Sequence, residues 1–406
     1  MNERDTLFLF TVTDVSAPMG MDSLNSYTRE FIRSGQYFLD YPKLYAQLGN
    51  AGIERYILDF IEKNKIKVLI FMWADSWGFD FRVEFFEMLR KKVFLVMMPC
   101  DWEHYFSIKD IYYAQAADLV IVSNIVGRHI FRHYGINAIT FHSSDASVYR
   151  KLNGIYQDID VSFVGSLVKY GRKELLNYIV ANGINLQMYG SGTPNGRVSM
   201  EKLVEIYNRS KINLNFTGID LPSILTRGQK ISTRIKQFKG TIIDIALCGG
   251  FILTENSVGN EEIFEPDKEF AIFNTKEKLL QKIRYYLNNE AERNLVAENG
   301  FQRALKNYAV STALPIFLQK LREMNKEKIY TPSKIILDEV FLRNYATYRF
   351  PLILKFISSG KYSFALEELV IIFKIRKMDF YIVWYYLKRN FLDKFPRLAK
   401  LLKRFF

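Results

Sequence analysis

The sequence predicts an α/β fold with two doubly wound parallel sheets that face a cleft, followed by a helical extension. Short apolar runs alternate with helical patterns, and this alternation pauses and then restarts near residue 150. Strand–helix–strand order favours parallel pairing with right-handed crossovers. We therefore expect residues 1–150 and 151–330 to form the two sheets, and residues 331–406 to form helices only.

The first half contains four short runs rich in Val, Ile, Leu and Phe, each bounded by polar or turn residues, which is typical of buried strands. These runs are Leu7–Val12, Val68–Trp73, Val93–Pro99 and Leu119–Ser123. The clearest helical stretches between them are Leu44–Lys63 and Arg82–Lys91.

The second half follows a polar segment, Ser143–Asp158, that has no sustained period. Its predicted strands are Val161–Val164, Leu186–Tyr189, Ile212–Phe216, Phe251–Thr254 and Phe270–Phe273. Predicted helices separate them at Lys173–Asn182, Lys202–Ser210 and Lys276–Leu287. Two such sheets joined by one linker leave a cleft between them, which is a common place for a ligand.

The composition limits the partners and the compartment. The 406 residues carry a net charge of +13, a surplus that favours anionic partners such as nucleotide diphosphates, lipid phosphates or nucleic acid. The two cysteines, Cys100 and Cys248, lie in apolar runs, which argues against a disulfide framework and suits a reducing compartment. Neither a secretory signal nor a run of about 20 apolar residues is present, so we expect a soluble or peripheral cytoplasmic protein.

The first candidate binding motif lies at the end of a predicted strand. The run Val161–Ser166 ends in the small residues Gly165 and Ser166, and Arg172 opens the next helix. Amide groups at a helix N-terminus beside a guanidinium suit a diphosphate. Taken alone, an ordinary strand–turn–helix is the more frequent explanation.

Two further strand ends carry polar or small residues. Tyr189 and Gly190 open a Tyr-Gly-Ser-Gly segment, where glycine lets the backbone approach a flat ligand such as a nucleobase. Most segments of this kind are plain turns. Asn213 and Asn215 share one face of the next strand and could bind ribose or sugar hydroxyls.

The fourth motif is an apolar helix with one acid. Asp244 lies on this helix, which ends at Gly249 and Gly250 and leads into a strand. An acid in apolar surroundings is costly unless it meets hydroxyls or amides. We therefore favour a ligand role for Asp244, with a capping or surface role as the alternative.

In order, these motifs resemble the C-terminal domain of CgeB-like glycosyltransferases, relatives of the family-four enzymes with the GT-B fold of two Rossmann-like halves. The resemblance covers roughly Val161–Lys320 and also includes Phe264–Glu269 and Asn299–Arg303. It implies transfer of a sugar from a nucleotide-sugar donor to a glycan or lipid-linked acceptor, in cell-envelope polysaccharide or glycolipid synthesis. It also implies that no metal ion or other cofactor is needed.

On the matching positions, the resemblance implies a role for each motif. Arg172 would contact the diphosphate, Tyr189 and Gly190 would line the base site, and Asp244 would hold the ribose of the donor.

The sequence departs from the family pattern at three positions. The family's Arg is Thr241 here and its Glu is Asp244, and the first acid of the family-four acidic pair falls on Lys236. Arg234, Lys236 or Lys239 could replace the lost cation.

Candidate catalytic residues follow two predicted strands of the first half and should face the cleft. They are Asp75 after the first of these strands, and Asp101, Glu103 and His104 after the second. Any of them could act as the general base of an inverting enzyme. The alternative is that they are loop acids and a solvated histidine.

A histidine pair on a predicted helix could suggest a metal. His129 and His133 have the i, i+4 spacing of metal ligands, but no third ligand is apparent and Arg128 and Arg132 flank them. A solvated helix face is the favoured interpretation.

The C-terminal tail predicts an interfacial helix on anionic lipid, at the inner face of the cell membrane. Between Lys388 and Phe406 seven cations stand against the single acid Asp393. Apolar residues recur at helical spacing there: Leu398, Leu401, Leu402 and Phe405. The alternative is a helix docked on its own domains or on a second subunit.

Two other functions stay open on the sequence alone. One is a different GT-B enzyme, such as a polyol-phosphate transferase or an epimerase, and the other is a non-catalytic nucleotide- or sugar-binding module. A nucleic-acid-binding protein would explain the charge, but no RNA- or DNA-binding signature is present.

Overall fold

The computed structural model describes residues 4–10, 29–73, 81–100, 102–167, 169, 171–218 and 236–390. Within these residues the chain forms two parallel sheets flanked by helices, and it ends in a helical extension. The predicted fold class is confirmed.

The first half contains a six-stranded parallel sheet in the described residues, with the strand order β2-β1-β3-β4-β5-β6. Its strands are β1 (Thr6–Phe10), β2 (Tyr37–Asp40), β3 (Val68–Trp73), β4 (Phe94–Pro99), β5 (Leu119–Val122) and β6 (Ala138–Thr140). Its helices are α1 (Tyr41–Lys63), α2 (Val83–Arg90), α3 (Trp102–Tyr105), α4 (Ile111–Ala114) and α5 (Ile125–His133), with a π-helical turn at Phe106–Asp110 between α3 and α4.

The second half contains a five-stranded parallel sheet in the described residues, with the strand order β11-β10-β9-β7-β8. Its strands are β7 (Ile159–Val164), β8 (Leu186–Tyr189), β9 (Ser210–Asn215), β10 (Ile252–Glu255) and β11 (Ala271–Phe273). Its helices are α6 (Arg172–Ala181), α7 (Met200–Arg209), α8 (Thr241–Leu247), α9 (Asn260–Ile263), α10 (Lys276–Asn288) and α11 (Glu290–Asn307).

Two strands were not predicted, β2 and β6. All four side chains of β2 are half-buried, so the run lacks the apolar character that marks the central strands. The strand β6 has only three residues, two of them half-buried. Both strands lie at the edges of the first sheet, where burial of both faces is not required.

A long helix returns the chain from the second half to the first. This helix, α12 (Val310–Lys326), lies in the stretch that the sequence assigned to the second half. Its buried residues Leu314, Phe317 and Leu321 nevertheless pack in one cluster with Phe8 and other residues of the first sheet. The polypeptide therefore crosses between the halves twice.

The helical extension packs on the first half through α13 (Glu339–Ser358) and α14 (Tyr362–Ile375), and α15 (Phe380–Asn390) follows. Phe341 and Phe356 of α13 belong to the same buried cluster as Tyr45 of α1. Among the described residues, no helix combines the length and the apolar character that crossing a membrane requires.

Candidate functional site

The carboxyl ends of the two sheets supply a polar cluster that joins the halves. Glu103 lies in α3, directly after β4, and its side chain is buried. Gln237, from the segment before α8, donates its side-chain amide to Glu103 Oε1. The Nζ atom of Lys239 lies 3.8 Å from the same oxygen. Because a buried carboxylate is costly without partners, these two side chains stabilise Glu103 at the junction.

Asn124 completes this junction cluster from the first half. Its Nδ2 donates to Gln237 Oε1 at 2.9 Å, and its Oδ1 accepts from the Gly127 backbone at 2.8 Å. The second bond caps the N-terminus of α5 and fixes the amide orientation. We define the junction cluster as Glu103, Asn124, Gln237 and Lys239.

A second acid lies beside this cluster at the end of β10. Glu255 is buried, and its Oε2 accepts from both the backbone N–H and the hydroxyl of Thr217, at 3.1 and 3.0 Å. Lys236 Nζ lies 2.8 Å from Glu255 Oε1. Lys236, one of the three cations proposed from sequence to replace the family's arginine, is therefore in an ion pair at the carboxyl end of the second sheet.

Asp244 meets the connection between the halves. It lies partly buried in the first turn of α8 and accepts a hydrogen bond from Ser144 Oγ at 2.5 Å. Burial raises the pKa of this carboxyl to about 7, and the bond from Ser144 lowers it in part. The hydroxyl that an isolated acid requires is thus supplied by the chain itself, and ribose binding by Asp244 stays a prediction.

Ser144 also forms hydrogen bonds between the two chain connections that join the halves. Its backbone N–H donates to the Tyr308 carbonyl, and its carbonyl accepts from the Val310 N–H, both at 2.8 Å. The bond to Asp244 therefore links α8 to the place where both connections between the halves run side by side.

Arg172 opens α6 as predicted, and its guanidinium bonds to backbone. It donates to the carbonyls of Ser166 and Phe216, at 3.2 and 3.4 Å, and so joins the ends of β7 and β9. Its side chain is buried against the ring of Phe163. A diphosphate role for Arg172 stays a prediction; in the structure it stabilises the loop after β7.

The glycines at the strand ends allow close approach between loops of the same sheet. Gly190 has φ +119°, and a Cβ added there would lie 2.2 Å from the carbonyl oxygen of Gly165. Gly165 in turn donates its N–H to the Tyr189 carbonyl at 2.8 Å. The Tyr189 hydroxyl bonds to the side chain of Gln187. Packing thus explains both glycines, and contact of Tyr189 and Gly190 with a base stays a prediction.

The remaining predicted binding residues also pack within the second half. Asn215 Nδ2 donates to Thr254 Oγ1 at 2.9 Å between β9 and β10. Gly249 follows α8 with φ +70°, and a Cβ at Gly250 would lie 2.7 Å from Asn213 Nδ2. These contacts explain why small residues end this helix.

The structure describes only some of the residues that were predicted to be catalytic. Asp75 and Asp101 lie outside the described residues, and so does Arg234, which was predicted as a binding cation. His104 lies in α3, half-buried, and its Nδ1 has no hydrogen-bond partner among the described residues. His129 and His133 lie on α5 as expected from their spacing.

Sequence reasoning missed Asn124, Gln237, Thr217 and Glu255. Asn124, Thr217 and Glu255 come at or just after a strand, where parallel sheets place ligand-binding residues, so that signal was present. Gln237 stands in a segment without a regular pattern, and its importance appears only through contacts with residues more than a hundred positions earlier.

Comparison with known proteins found a partial family match and structural similarity. A family model described as glycosyl transferase-like matches residues 172–318, a little over a third of the chain. No curated protein is a significant match to the sequence. The CgeB-like designation is finer than the family match and stays a prediction.

Solved structures resemble the chain at low sequence identity. Sucrose-phosphate synthase from Thermosynechococcus elongatus has 12% identity and a TM-score of 0.55, covering 80% of this chain and 100% of that one. A glycosyltransferase from Rickettsia africae has 12% identity and a TM-score of 0.52, with the same coverage. HepE from Anabaena, solved with UDP-glucose, has 12% identity and a TM-score of 0.54, covering 79% of this chain and 100% of that one. At this identity the likeness shows the fold, and the chain has the GT-B architecture of two facing Rossmann-like halves.

Proposed function

We propose that this protein is a glycosyltransferase that takes a sugar from a nucleotide-sugar donor bound mainly by the second half. The observation that carries the proposal is the junction cluster, in which Gln237 and Lys239 of the second half meet the buried Glu103 of the first. An acid and a cation at facing carboxyl ends suit a sugar hydroxyl and a diphosphate, respectively. The glycosyl transferase-like match over residues 172–318 supports the same activity.

The proposal gives each group a task. Lys239, together with Lys236, binds the diphosphate and neutralises the charge that develops on it as the glycosidic bond breaks. Glu103 accepts a hydrogen bond from a sugar hydroxyl. His104, one residue later, is the proposed general base, because it lies in α3 at the carboxyl end of the first sheet. Transfer then needs no divalent metal, so activity should persist in the presence of a chelator.

The proposed acceptor is a glycan or a lipid-linked saccharide. The basic sequence tail, Phe395–Phe406, which lies outside the described residues, would hold the cleft near such acceptors at the inner face of the cell membrane. A cytoplasmic, peripheral location gives the enzyme access to both a soluble nucleotide sugar and a membrane-bound acceptor. Deleting Phe395–Phe406 should remove salt-sensitive binding to anionic liposomes while nucleotide affinity stays unchanged.

Calorimetry with uridine and guanosine diphosphates tests the donor site. HepE was solved with UDP-glucose, which makes the uridine nucleotide the first probe. Lys239→Ala should weaken binding at least about tenfold, as expected when a charged hydrogen bond is lost. Lys211→Ala is the matched control, because Lys211 forms a 2.7 Å ion pair with Asp160 near the amino end of β9, away from the cleft.

Three outcomes of this experiment would contradict the proposal. Equal affinity of the Lys239→Ala and Lys211→Ala variants would place the diphosphate elsewhere. Tighter binding of single-stranded DNA than of any nucleoside diphosphate would favour a nucleic-acid-binding protein. Nucleotide binding without turnover of any nucleotide sugar would indicate a non-catalytic module.

A further inference from the structure

Helix α14 exposes a continuous apolar stripe to solvent. The stripe consists of Tyr362, Leu366, Leu369, Val370 and Phe373, which recur at the spacing of one helix face. Tyr362, Leu366 and Phe373 are 70%, 60% and 67% exposed, respectively. Single exposed apolar residues are ordinary, but a contiguous row of large ones marks an interaction surface.

The opposite face of α14 is firmly held, so the exposure is not a sign of loose packing. Glu368 is fully buried, where it pairs with Arg349 and accepts from the Tyr45 hydroxyl at 2.8 Å. Glu367 accepts from the backbone of Asn50 at 3.0 Å. These contacts fix which face of the helix points outward.

A kink in α1 brings the two helices close together. Gly49 interrupts α1 with φ 71°, and a Cβ there would lie 2.6 Å from the ring of Phe364. The Lys361 ammonium bonds to the Ala46 carbonyl just before this kink. The stripe therefore lies on a helix that packs against α1 at this kink.

The charges beside the stripe differ between its two sides. On the side of the first half, Glu54 and Glu84 line the cavity that Leu366 and Val370 also border. The exposed cations lie along the C-terminal helices themselves.

Residues 355–377 contain five cations and two acids, Glu367 and Glu368, and both acids bond inward as described. Lys355, Lys374 and Arg376 are exposed. The outward face of α14 thus offers apolar side chains and a cation, with no acid among its exposed residues.

We propose that the apolar stripe of α14 lies on an anionic lipid surface, with its side chains in the headgroup boundary and the neighbouring cations on lipid phosphates. An amphipathic helix with apolar side chains on one face and cations at its edge binds bilayers in this way. A second copy of the chain is a poorer fit, since pairing two such faces would bring like charges together in a protein of net charge +13. The proposal is independent of the transfer reaction, and it adds a second membrane contact to the one proposed for the sequence tail, so that vesicle binding requires both.

Vesicle flotation with the full-length protein tests this surface. The double variant Leu366→Gln/Phe373→Gln should bind phosphatidylglycerol vesicles at least about tenfold more weakly than the unaltered protein, because two large side chains lose their burial. The matched control is Leu295→Gln/Ile329→Gln, which removes two apolar side chains outside α14. Leu295 is 61% exposed and Ile329 is 84% exposed. This control should bind like the unaltered protein, and both variants should keep the same Tm.

The cations give a second arm to the experiment. Lys374→Gln/Arg376→Gln should weaken binding to phosphatidylglycerol vesicles and reduce its salt dependence, because charges near an anionic surface are removed. Phosphatidylcholine vesicles, without net charge, should bind the unaltered protein more weakly.

Two results would overturn the proposal. One is full vesicle binding by the Leu366→Gln/Phe373→Gln variant, which would leave the membrane contact to another segment such as residues 391–406. The other is a dimer in light scattering that dissociates in this variant, which would identify a second copy as the occupant of the stripe.

Discussion

Asp244 should make the protein less stable as the pH rises from about 4 to about 7. Its pKa is raised from the ordinary value of 3.8 to about 7 in the folded state, chiefly by burial. In this range the folded state holds a proton on Asp244 that the unfolded state has released. The contribution of Asp244 to the free energy of unfolding is therefore constant below about pH 4 and decreases between about pH 4 and pH 7. Above about pH 7 it is constant again.

The magnitude follows from the size of the shift. One pKa unit corresponds to about 1.4 kcal/mol, so a shift of roughly three units gives an upper limit of about 4 kcal/mol. Because the Asp244 side chain is only partly buried, solvent screens this effect, and we expect about 2–4 kcal/mol.

The Asp244→Asn variant isolates this effect. An asparagine keeps an oxygen that accepts from Ser144 Oγ but cannot ionise, and the other titrating groups cancel in the comparison. Urea unfolding of both proteins between pH 4 and pH 8 should show the variant gaining stability relative to the unaltered protein as the pH rises. Curves that stay parallel across this range would refute the burial argument for Asp244.

Three further predictions concern packing in the described part of the chain. Gly190→Ala should lower the free energy of unfolding by at least about 2 kcal/mol, because the new Cβ meets the Gly165 carbonyl. The control Gly154→Ala, at φ 71° with no atom near the new Cβ, should lower it by only about 1 kcal/mol. Equal losses in the two variants would contradict the close approach at Gly190. Arg172→Ala should cost about 1–3 kcal/mol by urea unfolding, because two strand-end carbonyls lose their donor, and an unchanged midpoint would contradict this role. Arg349→Met should lower the free energy of unfolding by about 3–5 kcal/mol, because it leaves the fully buried Glu368 carboxylate without its cation. Adding Glu368→Leu to this variant should make the loss smaller. Additive losses of the two single variants would show that the pair is not coupled.

Local sequence patterns were sufficient for the central strands of both sheets. Runs such as Val68–Met72 are buried on both faces, so their apolar composition alone distinguishes them from helix and loop. The edge strands β2 and β6 are half-buried or very short, and no local pattern separates them from turns.

The candidate site could be predicted only as far as its position at the strand ends. The partners that decide each residue's role come from distant parts of the chain: Ser144 and Asp244 are 100 positions apart, and Glu103 and Gln237 are 134 apart. Likewise, the sequence predicts close approach of a ligand at Gly190, but only the structure shows that the Gly165 carbonyl also lies close to this position. Such contacts depend on how elements pack, which periodicity does not encode.

The sequence pattern was also not sufficient to assign helix α12 to one of the two halves. The alternating pattern gave no reason to assign Val310–Lys326 to the first sheet, because an amphipathic helix can pack on either half. Its position is fixed by the bridge between Ser144 and Ala309, where the two crossings run in parallel.

Turnover of a nucleotide sugar tests the central claim most directly. The release of nucleoside diphosphate from a panel of nucleotide sugars should be followed for the unaltered protein and for Glu103→Gln, with and without a glycan acceptor. We predict slow release from one donor, acceleration by acceptor, and a loss of about 100-fold or more in Glu103→Gln, because the amide cannot provide the buried charge at the junction of the halves. No release from any donor, or equal rates for both proteins, would contradict the account.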